Sequence, residues 1–263
     1  MYRAAKIHIA VIIVSFLFIT TITVDVNGQN EQQARAEDLN RQGIRKVQLK
    51  EYDAAISLFQ KAIAAFPELS SAHLNLGSAL TLSERPDEAI QHIKRGLQLN
   101  PTSNVGFNQL GVALEKIGKV NEAIDAFNAA IRIKPDYAFA YLNMGATYLW
   151  ADKEKAAATA LEKSIKLDPT SNEARLLLGI IYARQSRYKE ASSMVSLITQ
   201  QDPNNEPANL LLCQIFLMND DRQAALNLYQ NFKAVNEPLA DAMFKTIFAG
   251  KVITVPKEGI LKR

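Results

Sequence analysis

The chain has 263 residues, 48% of them apolar and 22% charged, with a net charge of +3. That balance excludes a disordered polyelectrolyte, and so small a basic excess provides no concentrated patch for nucleic acid. A single cysteine, Cys213, excludes an intramolecular disulfide.

The first element in chain order is an apolar run from Ile9 to Val24, preceded by Arg3 and Lys6 and followed by Asp25 and Val26-Asn27-Gly28. A basic start, an apolar stretch and a small residue where cleavage would fall make the pattern of a secretory signal peptide over residues 1–28. The alternative is an uncleaved signal anchor, with residues 7–24 in the membrane. Either reading expects the rest of the chain to be exported across the cytoplasmic membrane, to be periplasmic or secreted when cleaved. No cysteine lies near the junction, which disfavours a lipoprotein anchor. Residues 29–35 are polar and read as a lead-in.

From residue 36 the chain repeats itself. Pro67, Pro101, Pro135, Pro169 and Pro203 stand 34 residues apart, a spacing that marks an array of equal supersecondary units. The units run 36–69, 70–103, 104–137, 138–171, 172–205 and 206–239. Their eighth residues are Gly43, Gly77, Gly111, Gly145, Gly179 and Cys213; their twentieth residues are Ala55, Ala89, Ala123, Ala157, Ala191 and Ala225. The twenty-fourth residue is always apolar: Phe59, Ile93, Phe127, Leu161, Val195 and Tyr229.

Glycine inside a helix costs about 1 kcal/mol against alanine, so five in register call for close helix contact. The alanine twelve residues on is expected to face that glycine across a hairpin. The twenty-fourth residue is expected to fill space between hairpins. Each proline disfavours helix at the residue before it and ends a second helix there. Phe107, Leu110, Gly111 and Leu114 share one helical face, Gly118 interrupts, and Ala123, Ile124, Phe127, Ala130 and Ile131 form a second face. Asp53, Pro86-Asp87-Glu88 and Asn121-Glu122 signal helix starts. Nothing in 36–239 alternates with period two over strand length.

These residues resemble the tetratricopeptide repeat family. The resemblance is clearest in Tyr141-Leu142-Asn143-Met144-Gly145-Ala146-Thr147-Tyr148 and in Asn121 to Phe127 with Ala130 and Pro135. It implies an all-α fold, a right-handed superhelical solenoid of stacked helix–turn–helix hairpins, about six units long. The end units depart from the pattern: Gln42 and Lys46 replace apolar residues, Cys213 replaces glycine, and Glu237 precedes Pro238. Atypical ends suit the outermost repeats of an array.

Beyond the units, Leu239, Ala242, Met243, Ile247 and Phe248 give residues 240–249 an apolar face fit to cap the last hairpin. Residues 250–263, with Pro256 and several lysines, read as an extended basic tail.

The chain shows no catalytic signature. His8, His73 and His92 have no metal-ligand spacing, and no G-x-S-x-G, Walker or H-E-x-x-H motif is present. The expectation is a non-enzyme with no cofactor and no metal. Cys213, at the glycine position, is expected to be small and buried.

The family resemblance places positions 2, 5, 9, 12 and 13 of each first helix, with 6 close by, along a concave groove. Read this way, the groove turns apolar towards the C-terminal end. Phe139, Leu142, Leu149, Trp150, Leu176 and Ile180 are expected to form a landing surface for a partner segment. Asn75, Gln109 and Asn143 are candidates to clamp a peptide backbone. The family's carboxylate clamp is not expected, because Ile44, Val105 and Gln109 stand at its Asn, Lys and Arg places.

The sequence therefore reads as a scaffold or adaptor holding a protein or peptide, without nucleic acid, and meeting the membrane only through an uncleaved N-terminus. The alternative is a membrane-anchored assembly factor of a cell-envelope machine (pilus, secretion or wall synthesis). A third reading is an accessory subunit of an envelope enzyme.

Overall fold

The computed structural model describes residues 28–233 and 236–249, and every regular element within them is an α-helix. The expected signal segment and the basic tail 250–263 lie outside the described residues, apart from Gly28. The chain divides into two compact units, the first ending at Thr102 and the second beginning at Ser103.

The first unit holds α1 (28–48), α2 (Tyr52–Ala65), α3 (Ser70–Leu82) and α4 (Pro86–Leu99). Helix α1 starts eight residues before the repeat frame, so residues 29–35 continue the first helix rather than preceding it. The second unit holds α5 (Asn104–Lys116), α6 (Val120–Ile133), α7 (Ala138–Trp150), α8 (Glu154–Leu167), α9 (Asn172–Arg184), α10 (Tyr188–Gln201), α11 (Glu206–Met218), α12 (Arg222–Lys233) and α13 (Glu237–Ala249). Within each unit, consecutive helices pair as antiparallel hairpins, and neighbouring hairpins stack.

The glycine of each first helix is explained by one contact. A Cβ on Gly43 or Gly111 would lie 2.4 Å from the ring of Phe59 or Phe127; on Gly77 it would lie 2.3 Å from Ile93. Gly145 and Gly179 meet Leu161 and Val195 in the same way at 2.7 Å. The twenty-fourth residue thus sits over the glycine inside its own hairpin, which corrects the expectation that it fills space between hairpins. The alanine at position 20 is the second neighbour: its carbonyl oxygen comes within 3.1 Å at Ala89 and 3.3 Å at Ala157. All six of these alanines are fully buried. Cys213, also fully buried, takes the place of glycine in the last hairpin.

Each ladder proline follows a residue in extended conformation: Phe66, Asn100, Lys134, Asp168 and Asp202 have φ between −129° and −145°. This is the backbone a proline imposes on its predecessor. The next first helix is then capped where the sequence allows. Ser103, Ser171 and Asn205 accept from the amides of Gly106, Ala174 and Ala208.

The ladder carbonyls have a recurring partner at the fourth position. His73 Nε2 donates to the Pro67 carbonyl (3.0 Å), Arg175 to that of Pro169, and Asn209 Nδ2 to that of Pro203 (2.9 Å). Three different side chains perform one task, pairing the proline carbonyl at the turn between hairpins.

The turn inside each hairpin repeats as well. Position 15 is left-handed in all six hairpins: Lys50, Glu84, Gly118, Asp152, Ser186 and Asp220 have φ from +56° to +77°. Only Gly118 suits this conformation, since L-residues there cost roughly 1–2 kcal/mol. Glu84→Gly or Ser186→Gly is therefore expected to raise stability by up to about 1 kcal/mol, and Gly118→Ala to lower it by a similar amount. Urea denaturation midpoints check both signs.

At the C-terminal end, Ala240, Met243 and Ile247 of α13 are buried in one cluster with Cys213, Ala225 and Phe232. Helix α13 covers the last hairpin, starting at Glu237. The side chains of Leu239, Ala242 and Phe248 lie outside the described residues. Among the described residues no helix is long and apolar enough to cross a membrane.

Candidate functional site

The first helices α5, α7 and α9 lie side by side in the second unit, and two of their hydrogen-bonding groups fix the register. Asn143 Nδ2 on α7 donates to Asn108 Oδ1 on α5 at 3.0 Å. The same pairing occurs in the first unit, where Asn75 Nδ2 on α3 donates to Asn40 Oδ1 on α1 at 3.0 Å. In both cases a sixth-position amide meets a fifth-position amide of the preceding hairpin, 35 residues earlier. Further along, the same two positions are Leu142 with Leu177 and Leu176 with Leu211, all buried in one apolar cluster.

This register corrects the expected landing surface. Leu142 is 2% exposed, Leu149 6% and Leu176 8%, and all three belong to that cluster. In the second unit α7 and α9 are each flanked by first helices on both sides, which covers Leu142, Leu149 and Leu176. Position 2 protrudes: Phe139 is 49% exposed and Val105 46%. Trp150 and Ile180, at positions 13 and 9, are half-buried. The apolar surface is therefore narrower than the sequence suggests, and it includes Val105 besides Phe139, Trp150 and Ile180.

The expected amide clamp is also altered. Asn75 and Asn143 spend a donor on Asn40 and Asn108, so they hold helices in register first. Asn40 Nδ2 reaches Ser71 Oγ at 3.5 Å. Gln109 is half-buried, and its Oε1 is buried with no hydrogen-bond donor among the described residues. Sequence periodicity missed these amide pairs because their partners are 35 residues apart. The co-occurrence of Asn at positions 5 and 6 of consecutive units was the available signal.

Two acidic residues stand at groove positions of the second unit, Glu173 at position 2 of α9 and Glu115 on α5. Glu115, at position 12 of α5, is half-buried, and burial pushes its carboxyl up to about 7, with Lys116 acting weakly in the opposite sense. No hydrogen bond or ion pair reaches it among the described residues. Lys119, in the turn after α5, and Arg184, at the end of α9, are engaged with Glu122 (3.3 Å) and Glu154 (3.5 Å). A carboxylate left partly desolvated and unpaired is costly to the fold, which makes it a candidate functional group.

The other titratable groups are structural. Cys213 is buried and its thiol is pushed up to about 11, so it is inert at neutral pH. His73 on α3 stacks on His92 of α4, ring centroids 5.9 Å apart. Burial lowers both histidines. Because His73 Nε2 donates to Pro67, its Nδ1 is the acceptor nitrogen, and it is buried without a partner. Glu88 pulls His92 the other way, while Arg95 lowers His73 further.

A histidine lowered in the folded state takes up protons first in the unfolded chain. Its contribution is complete above the unfolded value of about 6.5 and is lost as pH falls below it. The wild-type chain should lose more stability between pH 7.5 and 5.5 than His73→Asn, which keeps a donor for Pro67 as Asn209 does for Pro203. Equal losses in urea titrations at the two pH values would contradict this assignment.

Among the described residues no group of three or more His, Cys, Asp or Glu is placed to hold a metal ion. The site is thus a surface of four apolar side chains with one unpaired carboxylate, suited to holding a segment of another molecule.

Comparison with known proteins agrees with this architecture. Models of the tetratricopeptide repeat match residues 40–104, 116–149 and 151–207, more than half of the chain between them. No curated protein is significantly similar in sequence. Among solved structures, PilF of Pseudomonas aeruginosa superposes with a TM-score of 0.71 at 19% identity, over 85% of this chain and 100% of that one. PilW, described as a widely conserved type IV pilus biogenesis factor, gives 0.72 at 18% identity, over 81% and 98%. YrrB, described as a TPR protein with an unusual peptide-binding site, gives 0.55 at 22%, over 71% and 97%. At these identities the likeness concerns the fold. With its 34-residue frame, its glycine–alanine hairpins and these three matches, the chain belongs to the tetratricopeptide repeat family.

Proposed function

We propose that this protein is a non-catalytic interaction scaffold that holds a segment of a partner protein against the first-helix face of its second unit. The observation that carries this reading is the apolar quartet Val105, Phe139, Trp150 and Ile180. It lies on helices whose other apolar residues are mostly packed away. A large exposed aromatic on the same helix as a half-buried tryptophan is unfavourable in water and is the composition of an interface hot spot.

The test uses peptides selected from a random library on the full chain. Phe139→Asp should reduce their binding at least about tenfold, the loss expected for an anchor worth about 1.4 kcal/mol or more. Ile133→Asp, an exposed apolar residue on α6, should leave it unchanged. Equal effects of the two variants would sink the reading.

A second reading, an assembly factor of a cell-envelope machine, is favoured by the apolar run 9–24 together with the resemblance in fold to PilF and PilW. It expects the chain to be exported and either released or held by residues 7–24. Fractionation followed by N-terminal sequencing decides. An intact Met1 in the membrane fraction supports the anchored form, a start near Gln29 the released form, and a cytosolic chain neither.

A further inference from the structure

Glu115 and Trp150 are neighbours by register. Asn108 and Asn143 are hydrogen-bonded across α5 and α7. Seven residues further along each helix, two turns on and nearly the same face, stand Glu115 and Trp150. Both side chains are half-buried, and neither has a hydrogen-bond partner among the described residues. Lys116 is exposed and lies about 100° further round α5. Lys119 and Arg184 are tied to Glu122 and Glu154. Asp152 and Lys153, both exposed, follow Trp150 in the turn after α7.

An aromatic face beside an unpaired carboxylate is complementary to a cationic side chain. The ring attracts the cation through its quadrupole and the carboxylate accepts its N–H groups. We propose that Glu115 and Trp150 form a cation subsite that receives a lysine or arginine side chain of the partner segment, while Phe139 and Val105 receive its apolar residues. This rests on the first-helix face being the binding surface. It adds the chemistry of the occupant: an apolar segment carrying a basic residue. The position of Glu115 near half-ionisation at neutral pH is consistent with a group that gains its counter-charge on binding.

The test uses n-butylguanidinium as the probe, n-butylurea as its neutral isostere, and the fluorescence of Trp150, the only tryptophan of the chain. At pH 8, at probe concentrations that leave the far-ultraviolet circular dichroism unchanged, butylguanidinium should change the emission saturably and butylurea should not. Glu115→Gln should weaken the response at least about tenfold, the loss expected for a hydrogen bond to a charged group. The same variant should raise the melting temperature at pH 8, because it removes a desolvated charge; a purely structural Glu115 would lower it. Equal responses to the two probes, or an unchanged response in Glu115→Gln, would overturn the subsite. Either outcome leaves the scaffold reading to be judged on Phe139→Asp alone.

Discussion

Leu142→Ala lowers stability by about 2–5 kcal/mol, the cost of a cavity in a packed core, whereas Phe139→Ala costs less than about 1 kcal/mol. The two residues sit three apart on α7 and are equally apolar in sequence. Leu142 is 2% exposed, packed in the cluster that includes Leu177 and Ile181. Phe139 is 49% exposed and makes an edge contact with Tyr137, centroids 6.1 Å apart. Urea denaturation of the two variants measures the difference. Similar costs would mean that the line between core and binding face is drawn in the wrong place.

Gly111→Ala lowers stability by about 1–3 kcal/mol, although alanine is the better helix former by about 1 kcal/mol. The new methyl would lie 2.4 Å from the ring of the fully buried Phe127, so the ring or the helix must shift. The compensating variant is Phe127→Leu. In that background Gly111→Ala should cost less by at least about 0.5 kcal/mol, the coupling expected for residues in contact. A neutral or stabilising Gly111→Ala would show that the position-8 glycines answer to something other than the position-24 side chain.

The period of the chain made the hairpin frame legible, because prolines, glycines and alanines are local constraints repeated at fixed spacing. Gly111 announced a close approach, and the extended residues before the prolines follow from ring geometry alone. What periodicity cannot show is which neighbour a side chain meets. Phe127 was legible as buried, but its place over Gly111, rather than between hairpins, needs the crossing of α5 and α6.

The same limit governs the site. Positions 2 and 5 both point away from the second helix, so Phe139 and Leu142 look alike on a helical wheel. Only the lateral packing of α7 against α9 buries Leu142 and leaves Phe139 outside. Asn108 and Asn143 were visible as amides but not as each other's partners. Glu115 was visible as a carboxylate on the face, but its partial burial is set by how α5 packs and has no sequence signal. Left-handed Glu84 and Ser186 carry no signal at all, since neither residue type favours that conformation.

The proposed scaffold holds partner segments on the first-helix face of the second unit. The most direct measurement is site-specific photo-crosslinking in the native cell, with p-benzoylphenylalanine placed singly at Phe139, Trp150, Ile133 and Leu197. Ile133 and Leu197 are exposed apolar residues on the second helices α6 and α10. A discrete crosslinked partner is expected from positions 139 and 150 and none from 133 and 197. Crosslinks from 133 and 197 with none from 139 and 150 would contradict it.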